Sequence, residues 1–183
     1  MKTRMKNLKK IDESNECYTP PGTVKYLLEF IPSHVRTIWC PCDTEESNIV
    51  KELREAGYDV IHTHIKDGFD FLGYEPIPPF YDMIITNPPF NIKTQCLERA
   101  YALGKPFIFL LPTDALGGIS RYRLYKKHGA NIGIFNARIN YLLQTSEKKS
   151  CWFWSMLLIG NVDYKDRIFW IDNSGKDKEP ELF

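Results

Sequence analysis

The sequence predicts an α/β protein built on a mostly parallel sheet with helices on both faces. Short apolar segments of strand length alternate along the chain with helical segments, as in sheets whose strands are connected by helices. Residues 106–112, Pro-Phe-Ile-Phe-Leu-Leu-Pro, are apolar throughout, which is typical of a central strand covered on both faces. The 183 residues suffice for one domain with a substantial core.

Composition excludes several classes of protein. The formal net charge is +1, so overall charge does not favour nucleic acid as a partner. No apolar run is long enough to span a membrane, and the basic N-terminus is not followed by the apolar region of a secretory signal. Five scattered cysteines, an odd number, indicate free thiols rather than a disulfide framework. We therefore expect a cytoplasmic protein with no membrane partner.

Three regions are predicted along the chain. Residues 1–16 form a flexible basic arm with five Lys or Arg in its first ten positions, residues 17–172 form the folded domain, and residues 173–183 form a polar tail. The arm is either a solvated tail or a segment that contacts phosphates of a nucleic acid.

Four elements are predicted in the first part of the domain. They are a helix at about 22–30, a strand at 35–40, a helix that ends near residue 56 and a strand at 58–65. Thr44 is the predicted N-cap of the second helix, which places Glu45, Glu46 and Ser47 in its first turn. Gly57 is expected to end that helix.

The second part is predicted to contain five strands and two helices. The strands are at 81–86, 106–112, 132–135, 151–159 and 167–172, and the helices are at 92–103 and 121–128. Gly104 is expected to end the first of these helices. The second is rich in Arg and Lys, and its basic face is either simply solvated or in contact with phosphates.

The strand at 81–86 ends abruptly in Asn87-Pro88-Pro89-Phe90. The prolines cannot extend a ladder, so the chain must leave the sheet in a stiff turn at a strand's carboxyl end, where open α/β sheets bind ligands. The Asn87 side-chain oxygen and the Pro88 carbonyl could accept both hydrogens of an exocyclic amino group, and Phe90 could stack on the ring that carries it. The alternative is a proline-stiffened strand exit with a core phenylalanine.

This turn resembles the motif (Asp/Asn/Ser)-Pro-Pro-(Tyr/Phe/Trp) of S-adenosylmethionine-dependent methyltransferases that modify amino groups, above all adenine N6 in DNA. A similar motif occurs in glutamine methyltransferases. The loop at 41–48 resembles the cofactor loop of small phage-type adenine methyltransferases, although it lacks the glycines usual in the family. The resemblance covers about residues 17–160. It implies a Rossmann-like methyltransferase fold with a mixed, mostly parallel seven-stranded sheet and two antiparallel strands at one edge.

The resemblance also implies S-adenosylmethionine as cofactor and a set of residues that bind it. They are Tyr18, Thr19, Pro41, Cys42, Asp43, His64, Asp70, Phe71 and Asn87. In this assignment Asp43 holds the methionine amino group, His64 or Asp67 the ribose, and Asp70 and Phe71 the adenine. The residues also allow ordinary structural roles: Tyr18 could pack at a helix entry, Asp43 could only cap a helix, and Phe71 could belong to the core.

Asn87, Pro88, Pro89 and Phe90 are the catalytic residues that the resemblance implies. Phe90, Arg138 and Tyr141 are the implied substrate-binding residues, because Arg138-Ile139-Asn140-Tyr141 resembles a segment that lines the target-base pocket, where Tyr141 would sandwich the base against Phe90.

The expected activity is methylation of adenine in nucleic acid, DNA rather than RNA. The alternatives are RNA adenine or protein glutamine methylation, or a catalytically inactive nucleic-acid-binding subunit. No room remains for a separate recognition domain, so we expect loose specificity, a homo-oligomer or a specificity subunit. The pairs His62/His64 and Cys40/Cys42 lack further ligands, so no metal site is expected.

Overall fold

The structure is a computed structural model that describes residues 17–77, 80–143, 153–162 and 167–175. The predicted basic arm at 1–16 lies outside the described residues, as does the tail from residue 176 onward. In the part of the tail that is described, the Asn173 backbone N–H donates to Asn136 Oδ1 at 3.0 Å and its Nδ2 to the Ala137 carbonyl at 2.9 Å.

Seven of the nine strands in the described residues form one sheet. The strands are β1 (Cys17–Tyr18), β2 (Thr37–Cys40), β3 (Asp59–His62), β4 (Met83–Thr86), β5 (Phe107–Pro112), β6 (Asn131–Phe135), β7 (Leu142–Leu143), β8 (Ser155–Gly160) and β9 (Ile168–Ile171). The order in the large sheet is β3-β2-β4-β5-β8-β6-β9, and β1 pairs with β7 in a separate antiparallel pair. The neighbours β3, β2, β4 and β5 are parallel, which confirms the predicted mostly parallel sheet.

Within the described ranges three α-helices connect the strands: α1 (Asn48–Glu55), α2 (Lys93–Leu103) and α3 (Ile119–His128). Gly57 and Gly104 have positive φ just after α1 and α2, as their predicted roles at helix ends require.

The prediction of one continuous helix at 22–30 is wrong. Two short 3-10 helices, Val24–Tyr26 and Leu28–Phe30, occupy this stretch instead. The backbone N–H groups of Gly22 and Val24 donate to the Glu52 carboxylate at 2.6 and 3.0 Å, so the start of the stretch is fixed on α1. The few residues that remain before Pro32 are too short for a stable α-helix.

Helices cover both faces of the sheet, as predicted. Successive strand residues point to opposite faces, so Ile38 belongs to one core cluster and Trp39 to the other. The first cluster contains Ile49, Val50 and Leu53 of α1, and the second contains Leu97 and Ala100 of α2. In the described residues no helix is long and apolar enough to cross a membrane.

One detail of the expected sheet is wrong. β8 is antiparallel to β5 and β6, but β9 is parallel to β6 and not a second antiparallel strand. β8 runs against its neighbours and therefore ends at the edge where β6 begins. Only residues 161–167 separate β8 from β9, so β9 starts at that same edge and must run in the direction of β6.

Candidate active site

The topology defines a crevice between the carboxyl ends of β2 and β4. From β2 the chain continues through α1 to β3 on one side, whereas from β4 it continues through α2 to β5 on the other side. Such a switch point is where open α/β sheets bind ligands, because the loops leave the sheet in opposite directions and open a cleft. The predicted cofactor loop at 41–48 and the Asn87-Pro88-Pro89-Phe90 turn follow these two strands.

The turn after β4 is fixed by contacts with the start of the described chain. Pro88 is buried and Asn87 is half-buried. Asn87 Nδ2 donates to Thr19 Oγ1 at 3.4 Å, and Asn48 Nδ2 donates to the Thr19 carbonyl at 2.9 Å. Thr19, which follows Tyr18 of β1, therefore bridges the turn and the first residue of α1. The Asn87 Oδ1 atom is buried.

Asp43 joins the loop after β2 to the last residue of β4. Its two carboxylate oxygens accept hydrogen bonds from Ser47 Oγ and Thr86 Oγ1, both at 2.6 Å. Burial raises the pKa of Asp43, and the hydrogen bonds from Ser47 and Thr86 partly oppose that rise. Asp43 is 7% exposed, so a buried carboxyl group lies between the carboxyl ends of β2 and β4. The sequence reasoning missed Thr86; a hydroxyl that ends an otherwise apolar strand is the signal that marks it.

The start of α1 differs from the prediction. Ser47, not Thr44, is the N-cap, and its Oγ accepts from the Ile49 N–H at 3.2 Å. The same hydroxyl donates to Asp43, and this double role fixes the helix start at Asn48. Consequently α1 has no acidic residue in its first turn, and the expected acidic turn is wrong. Glu45 instead pairs with Arg54 and with His62, the latter at 2.6 Å.

The remaining loop positions, Pro41 and Cys42, lie between these anchors. Pro41 is buried and Cys42 is half-buried, in contact with the second core cluster. Burial raises the pKa of the Cys42 thiol, with smaller contributions from Cys96 and Asp43, so the thiol stays neutral at ordinary pH. Among the described side chains, no three His, Cys, Asp or Glu residues group as a metal ion would require.

The residues predicted around the ribose and adenine are engaged in local structure. His64 Nδ1 accepts from the Lys66 N–H at 3.2 Å, and Asp70 Oδ1 accepts from the Leu72 N–H at 3.0 Å. The Phe71 side chain is 4% exposed and meets the Trp39 ring edge-on, with centroids 5.4 Å apart. Phe71 thus has the core position that was one of its two interpretations from the sequence. The cofactor roles of His64, Asp70 and Phe71 stay predictions.

Two of the predicted substrate residues, Phe90 and Tyr141, meet in an aromatic cluster to which Phe153 also belongs. Phe90 contacts Tyr141 edge-on at 6.2 Å and 82°, and Phe153 at 5.3 Å and 90°. The Tyr141 hydroxyl lies 3.0 Å from Ser155 Oγ. A base sandwiched between two rings needs them parallel and about 7 Å apart, twice a van der Waals spacing. A sandwich between Phe90 and Tyr141 therefore requires one ring to turn.

Arg138, the third predicted substrate residue, is exposed. Its guanidinium is 5.4 Å from the centroid of the Trp154 ring, which is 43% exposed. Neither Phe153 nor Trp154 was assigned a role from the sequence, where the run of aromatic residues at 152–154 is the signal that marks them.

Known structures share this architecture. The methyltransferase subunit of a type I restriction-modification system from Streptococcus thermophilus superposes with a TM-score of 0.56 at 14% identity, over 92% of this chain and 50% of that one. A protein from Listeria monocytogenes assigned to the class I S-adenosylmethionine-dependent methyltransferases gives 0.52 at 18% identity, over 93% of this chain and 70% of that one. The chain has the Rossmann-like α/β fold of methyltransferases.

The chain spans half the length of the restriction-modification subunit. No protein-family model and no curated protein matches the sequence.

Proposed function

We propose that this protein is an S-adenosylmethionine-dependent methyltransferase that modifies the exocyclic amino group of adenine in nucleic acid, most readily DNA. One observation carries the proposal. At the switch point of a methyltransferase fold, the hydrogen bond from Thr86 to Asp43 holds the loop after β2 beside the Asn87-Pro88-Pro89-Phe90 turn. A cofactor seated on the loop and an amino group held by the turn would then be neighbours.

The residues of the loop suit a cationic cofactor. S-adenosylmethionine supplies an electrophilic methyl on a sulfonium and also carries an ammonium group. Asp43 is a buried carboxylate whose ionised form is disfavoured by burial, and a cation beside it would favour that form. Asp43, Thr19 and Cys42 would hold the methionine end, while His64 and Asp70 would hold the nucleoside.

The turn would position the acceptor nitrogen. Asn87 Oδ1 and the Pro88 carbonyl would each accept one amino hydrogen, which directs the nitrogen lone pair toward the methyl group. Most of the acceleration would come from this positioning and from fixed dipoles, since no strong base is needed to start the transfer. A target base inside a duplex is inaccessible, so it must be flipped out, and Phe90, Tyr141 and Arg138 would receive it.

The proposal includes a partner in recognition. One protein of this fold is the methyltransferase subunit of a type I restriction-modification system. A specificity subunit or a second copy of this chain would supply sequence recognition.

One observation favours a second candidate function. The loop at 41–48 contains no glycine, and both Asp43 oxygens already accept hydrogen bonds from protein hydroxyls. These features suit a nucleic-acid-binding subunit that has lost its cofactor. RNA adenine and protein glutamine remain the alternative substrates, because the same turn would hold any planar amino group.

The test is methyl transfer from labelled S-adenosylmethionine onto DNA, RNA and protein pools side by side, with calorimetric titration of the cofactor. The proposal predicts cofactor binding and label mainly in DNA. Label mainly in RNA or protein would replace the substrate. Cofactor binding too weak to detect, together with retained nucleic-acid binding, would establish the inactive subunit instead.

A further inference from the structure

We propose that the outward stripe of α3 binds the phosphate backbone of the nucleic acid next to the target base. The stripe consists of Ile119, Tyr122, Arg123, Lys126 and Lys127, all of them exposed. The proposal rests on the proposed function for its substrate class, and it adds the surface that takes the substrate's backbone.

Charge is concentrated on this helix. Residues 117–129 contain four Arg or Lys and no Asp or Glu, whereas the whole chain has a net charge of +1. A polyanion is therefore attracted to this helix although the protein as a whole is almost neutral. Because Arg123, Lys126 and Lys127 are exposed, their charges are available to a ligand.

The apolar members of the stripe distinguish it from an ordinary solvated face. Ile119 is 73% exposed and Tyr122 is 58% exposed. With Arg123 and Lys126 they follow the spacing i, i+3, i+4, i+7, which places them on one side of the helix. Lys126 Nζ lies 5.9 Å from the centroid of the Tyr122 ring, so cation and aromatic ring are presented together. Sugars and unstacked bases offer apolar surface to such a ring, beside the phosphates that meet the cations.

The inner side of the same helix is fixed to the segment that follows the catalytic turn. Arg121 NH1 donates to Thr94 Oγ1 at 2.8 Å, and its Nε donates to the Ala115 carbonyl at 2.8 Å. Lys93 pairs with Asp114 at 3.0 Å. Thr94 lies four positions after Phe90, so the start of α3 is held rigidly beside the candidate target-base site.

The direction of α3 gives the stripe an orientation. β5 ends at the carboxyl edge of the sheet and β6 begins at the opposite edge, so α3 runs away from the candidate site. Ile119 and Tyr122 lie nearest the site and Lys127 farthest from it. Ten helical residues extend about 15 Å, which matches about four successive phosphates of one strand.

The test is the salt dependence of binding, measured by fluorescence anisotropy with a labelled duplex of about 20 base pairs and with its single strand. The variant Lys126→Gln/Lys127→Gln is compared with the matched control Lys25→Gln/Lys51→Gln. The control removes two exposed lysines near the other face of the sheet. The slope of log K against log salt should fall in magnitude by about 2 in the α3 variant only, which corresponds to about 30-fold weaker duplex binding at about 0.15 M salt.

A further variant tests the aromatic part of the stripe. Tyr122→Ala should weaken binding of the single strand while leaving the salt slope unchanged, because no charge is lost. Equal slopes for the α3 variant and the control would overturn the proposal, and so would preferential binding of an acidic peptide over both nucleic acids at the stripe.

The outcomes separate this inference from the proposed function. If the α3 variant lowers the magnitude of the salt slope but no pool accepts methyl groups, the stripe is supported and the catalytic proposal fails. If DNA is methylated and the α3 variant leaves both KM and the slope unchanged, the catalytic proposal stands and the stripe is refuted.

Discussion

The pKa values of two aspartates at opposite edges of the sheet are shifted in opposite directions. At the amino edge, Asp82 precedes β4 and its carboxylate accepts from the backbone N–H groups of Arg36 and Thr37 at 2.8 and 2.9 Å. These backbone hydrogen bonds lower the pKa of Asp82. At the carboxyl edge, the pKa of Asp43 is raised by burial. The ionised carboxylate of Asp82 therefore stabilises the fold, whereas ionisation of Asp43 opposes folding.

The difference is what we expect if the amino edge serves stability and the carboxyl edge serves the proposed ligand. Backbone N–H groups hold a negative charge well, and Asp82 uses them to join β2 to β4. Asp43 is held by two hydroxyls and is almost without solvent, which leaves its charge incompletely balanced. Carboxylates in this condition are concentrated at functional sites, because a bound cation completes the balance.

The largest expected effect is on catalysis at the carboxyl edge. Asn87→Ala should reduce methyl transfer by about 100-fold or more, since it removes a fixed acceptor of the reacting amino group. Cofactor affinity should change only a few-fold. The matched control is Asn87→Asp, which keeps an acceptor oxygen in the same place and should retain measurable turnover. Single-turnover transfer and cofactor titration measure the two quantities, and full activity in Asn87→Ala would refute the role of this residue.

The next effect concerns stability and its pH dependence at Asp43. Asp43→Ala should lower the free energy of unfolding by about 2 kcal/mol, because Ser47 and Thr86 lose their acceptor. The raised pKa means that the folded state binds more protons than the unfolded state. Stability should therefore decrease as pH rises from the unfolded pKa of about 4 through the folded value.

Asp43→Asn is the control for the charge, because it keeps one acceptor oxygen and cannot ionise. This variant should lack that part of the pH dependence. Urea unfolding at a series of pH values measures both variants, and a wild-type stability contribution from Asp43 that rises with pH would contradict the account.

The smallest effect is expected at the amino edge. Asp82→Asn should lower stability by only about 1 kcal/mol at neutral pH, because the carboxylate is half-buried and solvent screens part of its interaction. The folded pKa is lowered, so the stabilisation is present above the unfolded pKa and disappears as pH falls through the folded value. The difference between wild type and variant should vanish in strong acid. A difference that grows in acid would mean that Asp82 behaves like Asp43.

Much of the fold could be predicted from the sequence because the pattern is locally consistent. Apolar runs in the sequence predict the strands β2 to β6. Glycine alone predicts the helix ends at Gly57 and Gly104. The errors arose where a distant contact decided a local choice. Ser47 rather than Thr44 caps α1 because Asp43 holds its hydroxyl, and the direction of β9 follows from the edge at which β8 ends.

The position of the candidate site in the fold could be predicted in part for the same reason. The sequence located the turn after β4, since prolines interrupt a strand wherever the rest of the chain lies. Its neighbours could not be derived, because Thr19 is separated from Asn87 by 68 positions. The edge-on contact of Phe90 with Tyr141 likewise joins residues that lie far apart in the sequence, for which no local pattern exists.

The central claim is that the turn after β4 presents an adenine amino group to a methyl donor held by the loop after β2. The most direct measurement is mass spectrometry of nucleosides from DNA incubated with the full chain and S-adenosylmethionine. The account predicts N6-methyladenine with the wild-type protein and its loss with Asn87→Ala. Methylation of another base or position, or equal product from the Asn87→Ala variant, would contradict it.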